Sequence, residues 1–399
     1  MRSRTVARSS PRFPDDPLQQ ARSLLGGLSP AQFMRRHWQR RPLMVRQAWP
    51  QVQPPASRAE LFALCAQDDV ESRCVELRGG QWRLRHGPLS RRSLPPLTQP
   101  DWTLLVQGLD LHLDSAHRLL RAFDFIPQAR LDDLMLSYAS DGGGVGPHVD
   151  AYDVFLLQVQ GRRRWRIAEP GDAHFIPGLP LRILSTFKSQ QEWVLEPGDL
   201  LYLPPGWAHE GVAVGGDCMT ASVGFRSPTS AELAAALLQQ LAEELSEDGL
   251  PEGGVWAKRY ADPGLAPTLH SGAVPLGLRA FAHRSLKRVM DDEQAVARAL
   301  GRWLTEPKAQ VWFVPSAQRL EQGQGVVLDR RTRMVHDERH LFINGEAFEV
   351  AGLDGRLLRR LADERRLEGR ALDRLSEEAR SAALEWLAAG WLHGDWCRP

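Results

Sequence analysis

Asp141-Gly-Gly-Gly-Val-Gly-Pro-His148-Val-Asp150-Ala-Tyr-Asp153, with Pro204-Pro205-Gly206-Trp207-Ala208-His209 further on, decides how this chain reads. His148 and Asp150 are two positions apart. On an extended strand such residues point to the same face, so one imidazole and one carboxylate converge. His209, at the end of a β-rich run, adds a third ligand if early and late strands lie side by side, as they do in a double-stranded β-helix. Two histidines and one carboxylate on one face of an octahedron leave positions for a co-substrate and O₂, the arrangement of non-haem Fe(II) oxygenases. A His-x-Asp pair alone is weak, and its context carries the reading. The glycines before His148 read as room for backbone to approach a ligand closely.

The surroundings have β texture. Leu134–Tyr138, Val154–Val159, Trp165–Ile167 and Leu200–Leu203 are short apolar runs. Gly142-Gly143-Gly144, Gly161, Pro170-Gly171, Pro197-Gly198-Asp199 and Pro204-Pro205-Gly206 read as turn signals between them. This spacing predicts a β-sandwich or barrel over residues 101–228. If the co-substrate is 2-oxoglutarate, its distal carboxylate needs a cation. Arg162-Arg163-Arg164 lies on the next strand, where neighbours alternate faces, so Arg163 points opposite to the other two. A planar guanidinium grips a carboxylate with two bonds. The competing reading is a basic edge strand with every arginine solvated. Ser137 is a hydroxyl in an apolar strand, and its partner is either that carboxylate or a backbone group.

Working outward, 399 residues suggest two or three domains, and 43% apolar with 25% charged residues is a globular composition. The net charge of +1 excludes a polycation. Over the first fifty residues, however, arginines from Arg2 to Arg46 face only Asp15 and Asp16. Residues 1–16 read as a disordered basic arm, either a solvated tail or a guide toward an RNA-containing particle. Cys65, Cys74, Cys218 and Cys397 are scattered, against both a disulfide scaffold and a zinc ribbon. No signal-peptide pattern and no run of about 20 apolar residues is present, so a cytoplasmic protein is expected. Ser29-Pro30-Ala31-Gln32 predicts a capped helix start. Past Pro228, three- and four-residue spacing predicts helices over Ser230–Leu245 and Glu293–Leu304, packing either a second subunit or their own chain. Asn344-Gly345 predicts a hairpin over 340–350, followed by helices near 353–366 and 376–390. Acidic residues offset the arginines there, so direct nucleic-acid binding is not expected.

Several stretches resemble the JmjC-type ribosomal oxygenases, particularly their bacterial branch. They are Asp132-Asp133-Leu134-Met135, Gly142 to Asp150, Tyr152-Asp153-Val154-Phe155, Gly161 to Arg166, Glu196 to Asp199, Pro204-Pro205-Gly206, His209-Glu210-Gly211 and Ser222 to Arg226, with Trp38 to Leu43 as the opening. They cover the central part densely and the C-terminal half only in layout. The resemblance implies an α+β protein with a double-stranded β-helix core. It implies a JmjC oxygenase domain with an N-terminal extension at 17–228 (core 101–228), a helical dimerisation region at 229–305 and a winged-helix-like domain at 306–399. It implies His148, Asp150 and His209 as iron ligands, with Arg163, helped by Ser137, holding 2-oxoglutarate. The implied reaction uses Fe(II), 2-oxoglutarate and O₂ to hydroxylate C3 of an arginine in large-subunit ribosomal protein sixteen, in a homodimer.

An arginine substrate needs an acid for its guanidinium. Asp141 is the candidate, with Asp153 and Glu210 weaker ones. A histidine of another ribosomal protein or a tRNA base is an alternative target. A non-catalytic cupin-like binding module is the alternative without chemistry.

Overall fold

The structure, a computed structural model, describes residues 17–247, 258–321 and 323–395; the arm at residues 1–16 lies outside them. The chain divides into two compact units at Ser227 and Pro228.

The first unit is built on ten antiparallel strands: β1 Leu43–Val45, β2 Ser72–Arg78, β3 Gln81–His86, β4 Trp102–Val106, β5 Leu131–Ala139, β6 His148–Val149, β7 Asp153–Ala168, β8 Gln191–Leu195, β9 Leu200–Leu203 and β10 Ala208–Phe225. They run in the order β1-β9-β7-β10-β5-β4-β2-β3, with β6 on β10 and β8 on β7. This is a double-stranded β-helix core. Early β6 lies beside late β10, and His148 pairs directly with His209 in the register.

The separate runs on either side of Gly161 form one strand. Gly161 sits at φ +64°, and a Cβ there would meet the Asp217 carbonyl oxygen at 2.9 Å. The ladder with β10 shifts register between Val214 and Met219 and continues. β7 runs on through the glycine, where the sequence suggested a turn between strands, and the extra residues of the irregularity, 215–218, lie on β10. The glycines before His148 also do something other than expected. A Cβ on Gly143 would lie 2.3 Å from the Trp102 carbonyl oxygen, and one on Gly144 would lie 2.7 Å from that of Gly211. They let this segment press against neighbouring strands, so its backbone closes on the sheet.

The N-terminal helix Pro30–Arg36 carries the expected capping box between Ser29 and Gln32. Phe33 on its inner face is fully buried, with its ring centroid 4.9 Å from that of Tyr202. The Tyr202 hydroxyl donates to Asp153 Oδ1 at 2.6 Å, and the Gln39 side-chain amide donates to Asp153 Oδ2 at 3.0 Å. The extension therefore clamps the start of β7, three residues beyond Asp150. Truncating Phe33 would remove about 3–5 kcal/mol of packing.

The second unit begins with the helices Ser230–Glu247, Leu276–Met290 and Glu293–Thr305. The middle one was not legible in sequence, because its apolar residues Leu276, Leu286 and Met290 are exposed and make no buried stripe. Beyond them, two three-stranded sheets pack with the helices Gly352–Glu364 and Glu377–Ala388 around Leu341, Ile343, Leu361 and Trp386. The hairpin turns at Asn344 and Gly345, at φ +48° and +90°. Among the described residues, no helix is long and apolar enough to cross a membrane.

Candidate active site

β6 carries His148, the turn after it carries Asp150, and the first residues of β10 carry His209. Their ligand atoms all lie within 4.8 Å of one another. His148 Nε2 is 3.9 Å from Asp150 Oδ1, and His209 Nε2 is 3.5 Å from Asp150 Oδ2. Each imidazole is oriented by a backbone carbonyl: Nδ1 of His148 donates to Gly146 O and Nδ1 of His209 to Trp207 O, both at 2.9 Å. A carbonyl only accepts, so Nδ1 holds a proton and Nε2 is the nitrogen that faces inward.

The electrostatics favour ligand-ready forms of His148 and Asp150. Burial and the neighbouring His209 lower the His148 pKa to about 4. Burial pushes the Asp150 carboxyl up, but the hydrogen bond and charge of His209 outweigh it and bring it to about 2. For His209, burial opposes a proton and the Asp150 carboxylate outweighs burial, raising its pKa. A divalent cation would compete for the space that proton occupies.

These residues line a cavity of about 370 Å³ together with Ser137, Arg163, Trp165 and Thr220. On β7, Arg162 and Arg164 are exposed and Arg163 is buried. Arg163 Nε and one terminal nitrogen are buried without a hydrogen-bond partner. A buried, unpaired guanidinium is costly, so its place in this cavity calls for an anion. The donor set and this cation fit a ferrous ion with a chelating dicarboxylate. The Ser137 hydroxyl makes a long 3.4 Å bond to the Thr220 carbonyl, and the Thr220 hydroxyl donates to the buried Gln158 amide at 2.9 Å.

The acids considered for the substrate lie elsewhere. Asp141 is exposed, is not among the residues lining the cavity, and accepts the Gly215 N–H at 2.7 Å. Asp153 is fully buried and taken up by Tyr202 and Gln39, and Glu210 is paired with Arg166. Sequence reasoning missed Arg73, Tyr152 and Arg182, which line the cavity. Tyr152 also helps to hold the Asp150 carboxyl low. Tyr152 stood beside the motif and was readable there. Arg73 and Arg182 arrive through pairing across the sheet and through a loop, and left no local signal.

Fold and site together define a facial-triad oxygenase of the double-stranded β-helix class. Residues 118–233 match the JmjC domain family and residues 288–393 the ROXA-like winged helix. The chain is 33% identical over 329 residues to the ribosomal protein uL16 3-hydroxylase of Escherichia coli K12, covering 79% of this chain and 84% of that protein. It is 34% identical over 277 residues to a probable ribosomal oxygenase of Haemophilus influenzae, covering 68% and 63%. The structure of the Escherichia coli ribosomal oxygenase YcfD in complex with cobalt and 2-oxoglutarate superposes with a TM-score of 0.76 at 28% identity, over 92% of this chain and 98% of that one. This chain belongs to the JmjC-type ribosomal oxygenase family.

Proposed function

We propose that this protein is an Fe(II)- and 2-oxoglutarate-dependent dioxygenase that hydroxylates C3 of an arginine side chain in a large-subunit ribosomal protein. The observation that carries it is the unpaired, buried Arg163 guanidinium sharing one cavity with the His148, Asp150 and His209 cluster. His148, Asp150 and His209 would hold the iron. Arg163, helped by Ser137, would grip the distal carboxylate of 2-oxoglutarate. When bound, iron and 2-oxoglutarate together supply the oxidation of a substrate C–H bond by O₂, with 2-oxoglutarate leaving as succinate and CO₂. The substrate class follows the uL16 3-hydroxylase relative. Succinate release with recombinant uL16, and one added oxygen on a mapped arginine, test the reading. No succinate with any ribosomal protein sinks it.

Asp141 would meet the substrate guanidinium from its exposed turn, with Oδ1 already held by Gly215. Asp141→Ala should raise the substrate KM more than it lowers kcat; a loss confined to kcat rules the role out. A ribosomal target implies a cytoplasmic protein. The region 229–305 would form a homodimer, supported by the exposed Leu238, Leu265, Leu269, Leu276 and Leu286. Sedimentation equilibrium giving a single-chain mass would overturn it.

A further inference from the structure

One donor in the cavity wall has no task in this reading. Trp165 lines the cavity and is 5% exposed, and its indole Nε1 is buried without a hydrogen-bond partner. A buried donor costs free energy unless something accepts from it. An indole N–H only donates, so whatever completes it must bring a lone pair, which a guanidinium or an ammonium group cannot do.

The strand register says where this donor stands. Along β7 and β10, Arg163 pairs with Ala213, Trp165 with Gly211 and Ile167 with His209. Arg163 and Trp165 are two residues apart and share a face of β7. Trp165 therefore occupies the step between the guanidinium and the ligand cluster. Its ring centroid is 5.8 Å from Arg163 Cζ and 5.9 Å from the centroid of the His209 ring. Gly211 lets the ring lie on the sheet: a Cβ there would meet Cζ3 and Cη2 at 2.7 Å and Cε3 at 2.9 Å. The benzene edge is thus taken up by β10, and Nε1 lies on the opposite edge. The unpaired nitrogens of Arg163 are Nε and Nη2, which form one side of the guanidinium fork. A carboxylate gripped by that side keeps a lone pair on each oxygen for a further donor.

We infer that the Trp165 indole N–H donates to the distal carboxylate of 2-oxoglutarate, beside Arg163. The role rests on the reading of Arg163 above. Arg163 supplies the charge, and Trp165 adds a fixed direction. The two donors together orient the co-substrate along the cavity and favour a dicarboxylate over a 2-oxo acid without the second carboxylate.

The test uses the full chain loaded with Zn(II), and calorimetry measures Kd for 2-oxoglutarate and for 2-oxobutyrate. The second acid keeps the chelating 2-oxo acid end and lacks the distal carboxylate, so the ratio of the two constants is the preference for that group. Trp165→Phe keeps an aromatic ring and removes the N–H. It should cut the preference about tenfold and leave Kd for 2-oxobutyrate unchanged within about twofold. A cut of less than about threefold overturns the inference. So does an equal weakening of both acids, which disturbed packing alone would produce. A second measurement needs no variant. With isotope-labelled indoles in the unaltered protein, 2-oxoglutarate should move the Trp165 indole proton downfield in the NMR spectrum, and 2-oxobutyrate should not. A proton that stays in place, or that moves equally with both acids, overturns the inference. Failure of the underlying reading has a different signature. An unaltered protein that binds both acids equally overturns the role of Arg163 and this one with it. A clear preference that survives in Trp165→Phe overturns the role of Trp165 alone.

Discussion

The protein holds two clusters of the same residue types, wired in opposite ways. In the second unit, Asp329 takes Arg331 Nε at 2.7 Å on one oxygen, and Arg331 NH2 at 3.0 Å and His393 Nε2 at 2.8 Å on the other. Every charge there has a partner, and the cluster joins strands far apart in the chain. In the first unit, His148, Asp150 and His209 turn toward one another, and Arg163 is buried beside them with free donors. A satisfied cluster fastens a fold, while an unsatisfied one has been assembled for something that binds.

The strongest way to break the contrast is Asp150→Ala. It should abolish tight Co(II) binding and lower hydroxylation at least about a thousandfold, read by cobalt titration and product mass. Retained metal binding would mean the cluster is structural after all. Next comes Arg163→Met, which keeps volume and removes the cation. It should raise the 2-oxoglutarate KM roughly a hundredfold, the equivalent of about 2.7 kcal/mol, with cobalt affinity little changed.

Asp329→Ala should cost the second unit about 2 kcal/mol, less than a fully buried pair because Arg331 and His393 stay partly exposed. Hydrogen exchange read by mass should show the loss confined to that unit, with cobalt binding intact. The same cluster predicts a pH dependence. Burial pushes the Asp329 carboxyl up, but hydrogen bonds from Arg331 and His393 outweigh it and hold it well below its ordinary 3.8. A depressed carboxylate stabilises the fold above its unfolded value, and that contribution is lost as pH falls through the folded one. The second unit should therefore be insensitive to this group above about pH 4 and lose protection below it, with Asp329→Asn flattening the slope. The smallest effect is expected from Ser137→Ala, a two- to fivefold rise in the 2-oxoglutarate KM, or about 0.5–1 kcal/mol.

The contrast also separates what could be read from the chain alone. The His-x-Asp pair was legible by its residue types and spacing, although β6 ends at Val149 and Asp150 lies just past it, and the alternation around Arg163 follows the period of two of a strand. The Asn344-Gly345 hairpin was legible because only left-handed backbone closes so short a turn. The helix Leu276–Met290 was not, since an exposed apolar pattern carries no burial signal. Gly161 misled, because a glycine that a strand runs through and one that ends a strand look the same in one dimension.

Local periodicity and residue chemistry therefore determined the ligand types, the inward arginine and the order of β and α regions. Only the tertiary structure decided that His148 faces His209 across β6 and β10. It also decided that Asp329 meets a histidine from the far end of the unit, and that Arg73 and Arg182 join the cavity. Each of these depends on pairing between distant segments, whose partner is chosen by the packing of the whole sheet and is written in no single stretch.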